Sequence, residues 1–144
     1  MSSDRYLVTG AMGCLGSWVI RHLLAEECEV VAFDLSTDDR RHQLIIEPAA
    51  RSRIQYVQGD LTEFEQVLAV SAEVSHIIHL GALQVPFCRA DRAGGAAVNV
   101  VGTVNVFEAA LRRSIDHLVY ASSIAAFGDA GDYPRPIITV DDPR

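Results

Sequence analysis

The chain has 144 residues, 49% of them apolar and 22% charged, with a net charge of −7, which suits one globular domain with a proper core rather than a disordered chain. The acidic balance offers no basic stripe to nucleic-acid phosphates or to an anionic membrane, and so excludes both as expected partners. Neither a run of about 18 consecutive apolar residues nor a basic-then-apolar leader is evident, so a cytoplasmic protein is expected.

In chain order, 5–9 (RYLVT) is a short apolar run rich in β-formers. Three glycines follow it, Gly10, Gly13 and Gly16, and then Leu15, Trp18, Val19 and Leu23 at helical spacing. This reads as strand, turn, helix. The continuous apolar run 29–33 (EVVAF) ends in Asp34 and has the pattern of a strand buried on both faces. Between Leu35 and Arg53 the pattern loosens into a polar connection with room for a helical turn in 43–50, before Pro48. A strand at 53–58, a helix at 62–70 with Thr62 as its N-cap, and a buried strand at 75–80 come next. A long helix spans about Ala90 to Arg113, and 117–122 (HLVYAS) closes the series as a fifth strand. Beyond Ser123, glycine, aspartate and proline dominate, which predicts a loop. Strands alternating with helices imply an α/β fold, a doubly wound parallel sheet with right-handed crossovers.

The side-chain inventory limits the chemistry. Cys14, Cys28 and Cys88 are odd in number and scattered, fitting neither a disulfide framework nor a metal cluster, so each is expected to be reduced and partly buried. All twelve basic residues are arginine, and there is no lysine.

A glycine triplet after a strand serves either as a tight corner or as a phosphate cradle. Its position here, opening a helix and followed by an acidic residue at the end of the second strand, is the arrangement of a dinucleotide site. Glycine allows the turn, removes the Cβ from the path of a pyrophosphate and permits close helix packing, while the helix N-terminus supplies N–H groups and a positive dipole end. Asp34 can accept hydrogen bonds from both adenosine ribose hydroxyls and repels a 2′-phosphate, which favours NAD over NADP. Arg40 and Arg41, in the loose connection, are expected to be solvated. The other reading of Asp34 is a strand-end surface carboxylate.

With Thr9-Gly10-Ala11-x-Gly13-x-x-Gly16, 59-GDLT-62, 79-HLGAL-83, 99-NVVGTVNVFEAA-110 and 119-VYASSIAAFG-128 in order, the chain resembles the extended short-chain dehydrogenase/reductases. Within these it resembles the NAD-dependent sugar-nucleotide epimerase/dehydratase family. The resemblance implies a Rossmann-type sheet in the order 3-2-1-4-5, with residues 1–128 as the NAD-binding domain and 129–144 as a loop. It implies that Gly10, Met12, Gly13, Cys14, Leu15 and Gly16 meet the cofactor at the turn, and Asp34 and Leu35 at the second strand. Asp60 and Leu61 would line the adenine pocket, Leu80, Gly81 and Ala82 would run along the cofactor, and Asn99 would hold the loop between them. Ser123, or Ser122 one position earlier, would hydrogen-bond the substrate oxygen. His79, with no partner near it in sequence, is expected to be structural.

The family's chemistry also calls for a Tyr-x-x-x-Lys pair. Tyr133 is followed four places on by Ile137, so the pair is absent. The expectation is an amino-terminal portion, truncated after the fifth strand, of a longer epimerase, dehydratase or sugar dehydrogenase that is a homodimer in full. Its last strand would form a bare, association-prone edge. The rival expectations are a non-catalytic dinucleotide-binding module and a Rossmann-like domain that binds no nucleotide.

Overall fold

A computed structural model describes residues 4–123 and Ala126. Five parallel strands form one sheet: β1 (Arg5–Thr9), β2 (Glu29–Asp34), β3 (Ile54–Gln58), β4 (His76–His79) and β5 (His117–Tyr120), in the order β3-β2-β1-β4-β5. This is the expected order. β1 lies at the centre because the chain first moves outward through β2 and β3 and then crosses back to lay β4 on the other side. Thr9 sits opposite Phe33 on one flank and His79 on the other, so three strand ends lie level around the point where the order reverses.

The two faces of the sheet build two apolar clusters, as buried parallel strands require. Leu7, Val31, Phe33 and Ile77 pack with Val67 of α4 (Phe64–Val70) and with Val106, Ala109 and Ala110 of α7 (Thr103–Arg112). Val8, Val30, Ala32 and Ile54 pack on the opposite face with Ile20 and Leu24 of α1 (Cys14–Ala25).

The ends of β1 and β4 are tied through buried polar groups. The Thr9 hydroxyl oxygen accepts the N–H groups of Leu80 and Gly81, each at 3.2 Å, and lies 2.6 Å from His79 Nδ1. His79 Nε2 lies 3.1 Å from Thr103 Oγ1, whose own proton goes to the Asn99 carbonyl at 2.9 Å. These directions leave one assignment. His79 donates from Nε2 to Thr103 and accepts at Nδ1 from Thr9, as a neutral imidazole. Fully buried and stacked on Tyr120, it is structural as expected.

Four details depart from the expectations. The loose 35–53 connection contains two short helices, α2 (Arg40–Ile45) and α3 (Pro48–Arg51). Thr62 does not cap α4; Glu63 stands at that position, and Thr62 instead donates from its backbone and hydroxyl to Asp60 Oδ1, both at 2.8 Å. A separate helix, α5 (Val85–Ala90), precedes the long one. The long helix starts at Arg92, where Asp91 Oδ1 accepts the Gly94 N–H at 3.0 Å as an N-cap, and runs through α6 (Arg92–Ala96) and a π-helical turn (Ala97–Gly102) into α7. Residues 124, 125 and 127–144, which include most of 124-IAAFG-128, Tyr133 and the whole predicted terminal loop, lie outside the described residues.

The 21-residue helix Arg92–Arg112, which holds an 18-residue window with a mean hydropathy of 1.2, is long and apolar enough to cross a bilayer by length and composition alone, a test that the core helix of a globular domain also passes. Its outer positions Val100, Val101, Val104, Phe107 and Leu111 are exposed. Among the described residues β5 pairs only with β4, and Val119 and Tyr120 are exposed on it.

Two measurements test this packing. Ile77→Ala empties a site that is 1% exposed and is expected to cost about 3 kcal/mol in urea unfolding, whereas Leu44→Ala, at 83% exposed, costs less than about 0.5 kcal/mol. Similar losses from both would contradict the assigned core. Burial holds the pKa of His79 at about 4, below its ordinary 6.5. The folded state therefore binds fewer protons than the unfolded chain between those values, so the His79 contribution is complete above pH 6.5 and is lost as pH falls toward 4. It amounts to roughly 3 kcal/mol at full extent. His79→Gln is expected to flatten the fall in urea midpoint between pH 6.5 and 5, above most carboxylate titration, and an unchanged slope would exclude a buried neutral imidazole.

Candidate functional site

A cleft of about 570 Å³ opens at the carboxyl ends of β1, β2 and β4. This is the topological switch point at which open α/β sheets bind ligands. Its floor is the glycine turn. Gly10 has φ of +67°, and a Cβ there would stand 2.8 Å from both Cα and N of Gly81, so the loops after β1 and β4 touch backbone to backbone. A Cβ at Gly16 would stand 2.8 Å from Ala11 Cα, so α1 rests directly on the turn. The fold's own packing requires these two glycines. Gly13, exposed and lining the cleft, is the N-cap of α1, and it offers no side-chain oxygen to the N–H groups of the first turn. Those groups, on Cys14, Leu15 and Gly16, have no partner within the helix and lie along the cleft.

The wall on the β2 side is built around Asp34. Its Oδ2 accepts the Met12 N–H and its Oδ1 the Ser36 N–H, each at 2.9 Å, so two backbone donors fix the carboxylate at the rim. Asp34 thus stands half-buried at the strand end with both carboxylate oxygens held. Leu35 lines the cleft beside it. Asp60 and Leu61 form the next part of the wall, held from behind by Asn105, whose Nδ2 donates to the Leu61 and Thr62 carbonyls at 2.9 and 3.1 Å. Leu80, Gly81 and Ala82 form the opposite wall.

Thirteen of the fourteen residues expected at the cofactor therefore converge on one cleft. The fourteenth, Asn99, stands behind it and grips Leu83 at both polar atoms. Its Oδ1 accepts the Leu83 N–H at 2.7 Å, and its Nδ2 donates to the Leu83 carbonyl at 2.9 Å. Ser123 does not line the cleft; it is exposed, three residues past β5, beyond the same sheet edge.

Two expectations are corrected. Arg41 is not simply solvated: it lines the cleft, with Nη1 3.2 Å from the Met12 carbonyl, and among the described residues it is the only basic side chain there. Arg40 does point away, forked onto Asp38 at 2.8 and 2.6 Å, and its guanidinium holds the Asp38 carboxyl at about 2. Cys14 is exposed in the cleft rather than partly buried.

Gly59, the first residue of 59-GDLT-62, also lines the cleft, as do Ser36, Gln84, Phe87 and Val98, which carried no signal as site residues in the sequence. Pro86 at the start of α5, with Gln84 as its N-cap, was the one usable clue to the chain's return over the cleft.

Residues 6–143 match the family model described as the NAD dependent epimerase/dehydratase family. The chain is 37% identical to human 3 beta-hydroxysteroid dehydrogenase type 7 over 126 residues, which are 85% of this chain and 33% of that protein. It thus spans about a third of the length of the curated relatives it matches first. Among solved structures it is similar to uronate dehydrogenase from Agrobacterium tumefaciens, in a variant complexed with NAD, at 33% identity and a TM-score of 0.66, covering 87% of this chain and 43% of that one. It is also similar to UDP-glucose 4-epimerase from Thermus thermophilus in complex with NAD, at 30% identity and a TM-score of 0.70, covering 83% and 37%. The motifs, the sheet order and the family match agree: this chain belongs to the NAD-dependent epimerase/dehydratase family.

Proposed function

We propose that the cleft binds NAD and that the chain is the cofactor-binding part of an oxidoreductase that oxidises a hydroxyl of a sugar or sugar nucleotide, transiently in an epimerase or dehydratase. The observation that carries this reading is the convergence of a glycine-punctuated turn, an open helix N-terminus and the fixed Asp34 carboxylate in one cleft. Bound NAD supplies the hydride acceptor.

In this reading the N–H groups of Cys14 and Leu15 meet the pyrophosphate, with Gly13 offering no side chain to block its approach. Asp34 accepts from the adenosine ribose hydroxyls, Leu35 packs beside the ribose, and Asp60 with Leu61 lines the adenine pocket. Leu80, Gly81 and Ala82 run along the nicotinamide half, with Asn99 keeping their loop in place. Ser123 donates to the substrate oxygen as it gains carbonyl character. The chain holds no lysine, so a Tyr-x-x-x-Lys pair is not among its residues, and the turnover proposed is that of the whole protein. A homodimeric, cytoplasmic enzyme remains part of the proposal.

A second reading, a simple dehydrogenase that releases NADH, is favoured by one observation: sequence identity is 33% with the uronate dehydrogenase and 37% with the hydroxysteroid dehydrogenase against 30% with the epimerase, while the TM-score is higher for the epimerase. Substrate turnover by the whole protein separates the two. Absorbance of accumulating NADH marks a dehydrogenase, and product without NADH marks an epimerase or dehydratase.

Calorimetry tests the cofactor. Saturable NAD binding is expected, with NADP weaker by about tenfold or more, and Asp34→Ala is expected to cost about tenfold in NAD affinity and to erase most of that preference. No heat from NAD at millimolar concentration would sink the proposal.

A further inference from the structure

The six-residue helix α2 lays two consecutive side chains on the glycine turn. His42 is fully buried, with Nε2 3.0 Å from the Ala11 carbonyl oxygen and Nδ1 3.0 Å from the Tyr56 hydroxyl. A carbonyl only accepts, so Nε2 carries the proton, and Nδ1 receives the tyrosine's. Arg41 takes the next carbonyl along, that of Met12, at 3.2 Å.

The Ala11 carbonyl and the Met12 N–H belong to one peptide unit. His42 holds its oxygen, and the Asp34 carboxylate holds its N–H at 2.9 Å. Because a peptide unit is planar, turning its oxygen away from His42 also turns its N–H away from Asp34. The path from the imidazole to the carboxylate is therefore two hydrogen bonds through a rigid plate.

We propose that His42 is a positioning residue for the cofactor: through the Ala11–Met12 peptide it sets the orientation of the Asp34 carboxylate, and with it the discrimination between a free ribose 2′-hydroxyl and a 2′-phosphate. This rests on the reading of the cleft as an NAD site. Tyr56 shares the role one step back, because its hydroxyl keeps the His42 proton on the nitrogen that faces the turn. Without that donor, the tautomer with the proton on Nδ1 would point a lone pair at the Ala11 carbonyl.

The test titrates NAD and NADP into the full-length protein and into His42→Leu, His42→Gln, Tyr56→Phe and Asp34→Ala variants, with a thermal melt of each. His42→Leu is expected to weaken NAD about tenfold while NADP changes little, so the preference collapses. His42→Gln, whose amide N–H can reach the same carbonyl, restores most of it. Tyr56 is 41% exposed and its replacement by Phe spares the fold, so that variant decides the matter even if His42→Leu does not fold; an affinity ratio lowered about threefold is expected. Adding His42→Leu to Asp34→Ala is expected to change NAD affinity no further, as for two residues acting through one contact. An unchanged NAD-to-NADP ratio in Tyr56→Phe, or full additivity with Asp34→Ala, overturns the proposal while leaving the NAD site intact. A parent protein that takes up no NAD overturns both.

Discussion

The cleft depends on the closeness of two backbones. Gly10 and Gly81 end the central strand and its neighbour on the side where the order reverses, and any side chain at Gly10 would strike the Gly81 backbone. That contact sets how far the loops after β1 and β4 diverge, and therefore the width of the cleft. Thr9 and His79 lie immediately beneath it and keep the two strand ends level through buried hydrogen bonds. Buried polar groups that are fully paired are strongest where water is excluded, which suits a joint that must not shear.

The walls show the same economy. Asp34, Asp60 and the Leu80–Leu83 loop are each held by hydrogen bonds from neighbouring groups: the Met12 and Ser36 amides, the Thr62 hydroxyl and amide, and the Asn99 side chain. Among the described residues the lining joins backbone and aliphatic surface to three carboxylates, Asp34, Asp38 and Asp60, and one guanidinium, Arg41. Some of the bracing is local, Ser36 on Asp34 and Thr62 on Asp60, and some comes from farther along the chain, so one site draws on residues from Gly10 to Asn105.

The sheet was legible in the sequence because buried parallel strands are apolar runs and the crossovers between them have one hand. So was most of the cleft, since its residues sit at strand ends that short motifs mark. The glycine triplet was less decisive than its spacing suggests, because Gly10 and Gly16 are demanded by packing whether or not a ligand binds. What could not be read was α2. Six residues in a polar stretch, without an N-cap hydrogen bond, give no periodic signal, and the importance of Arg41 and His42 lies in contacts with residues 29 and 31 positions away. Thr62 misled for a related reason. Its hydroxyl found Asp60 two residues back, a local alternative that competes with helix capping.

The strand order also bears on synthesis. β1 is made first but pairs with β4, 70 residues later along the chain. As the chain leaves the ribosome, β1 can gain β2 and then β3 on one side, while its other edge, apolar and hydrogen-bond hungry, waits for His76–His79. Through that interval the nascent sheet ends on what will be its central strand. During this time the turn and the Asp34 wall stand without their opposite wall, because Leu80, Gly81 and Ala82 follow β4 in the chain. The wall of Leu80, Gly81 and Ala82 is therefore added only with the strand that covers the open edge of β1.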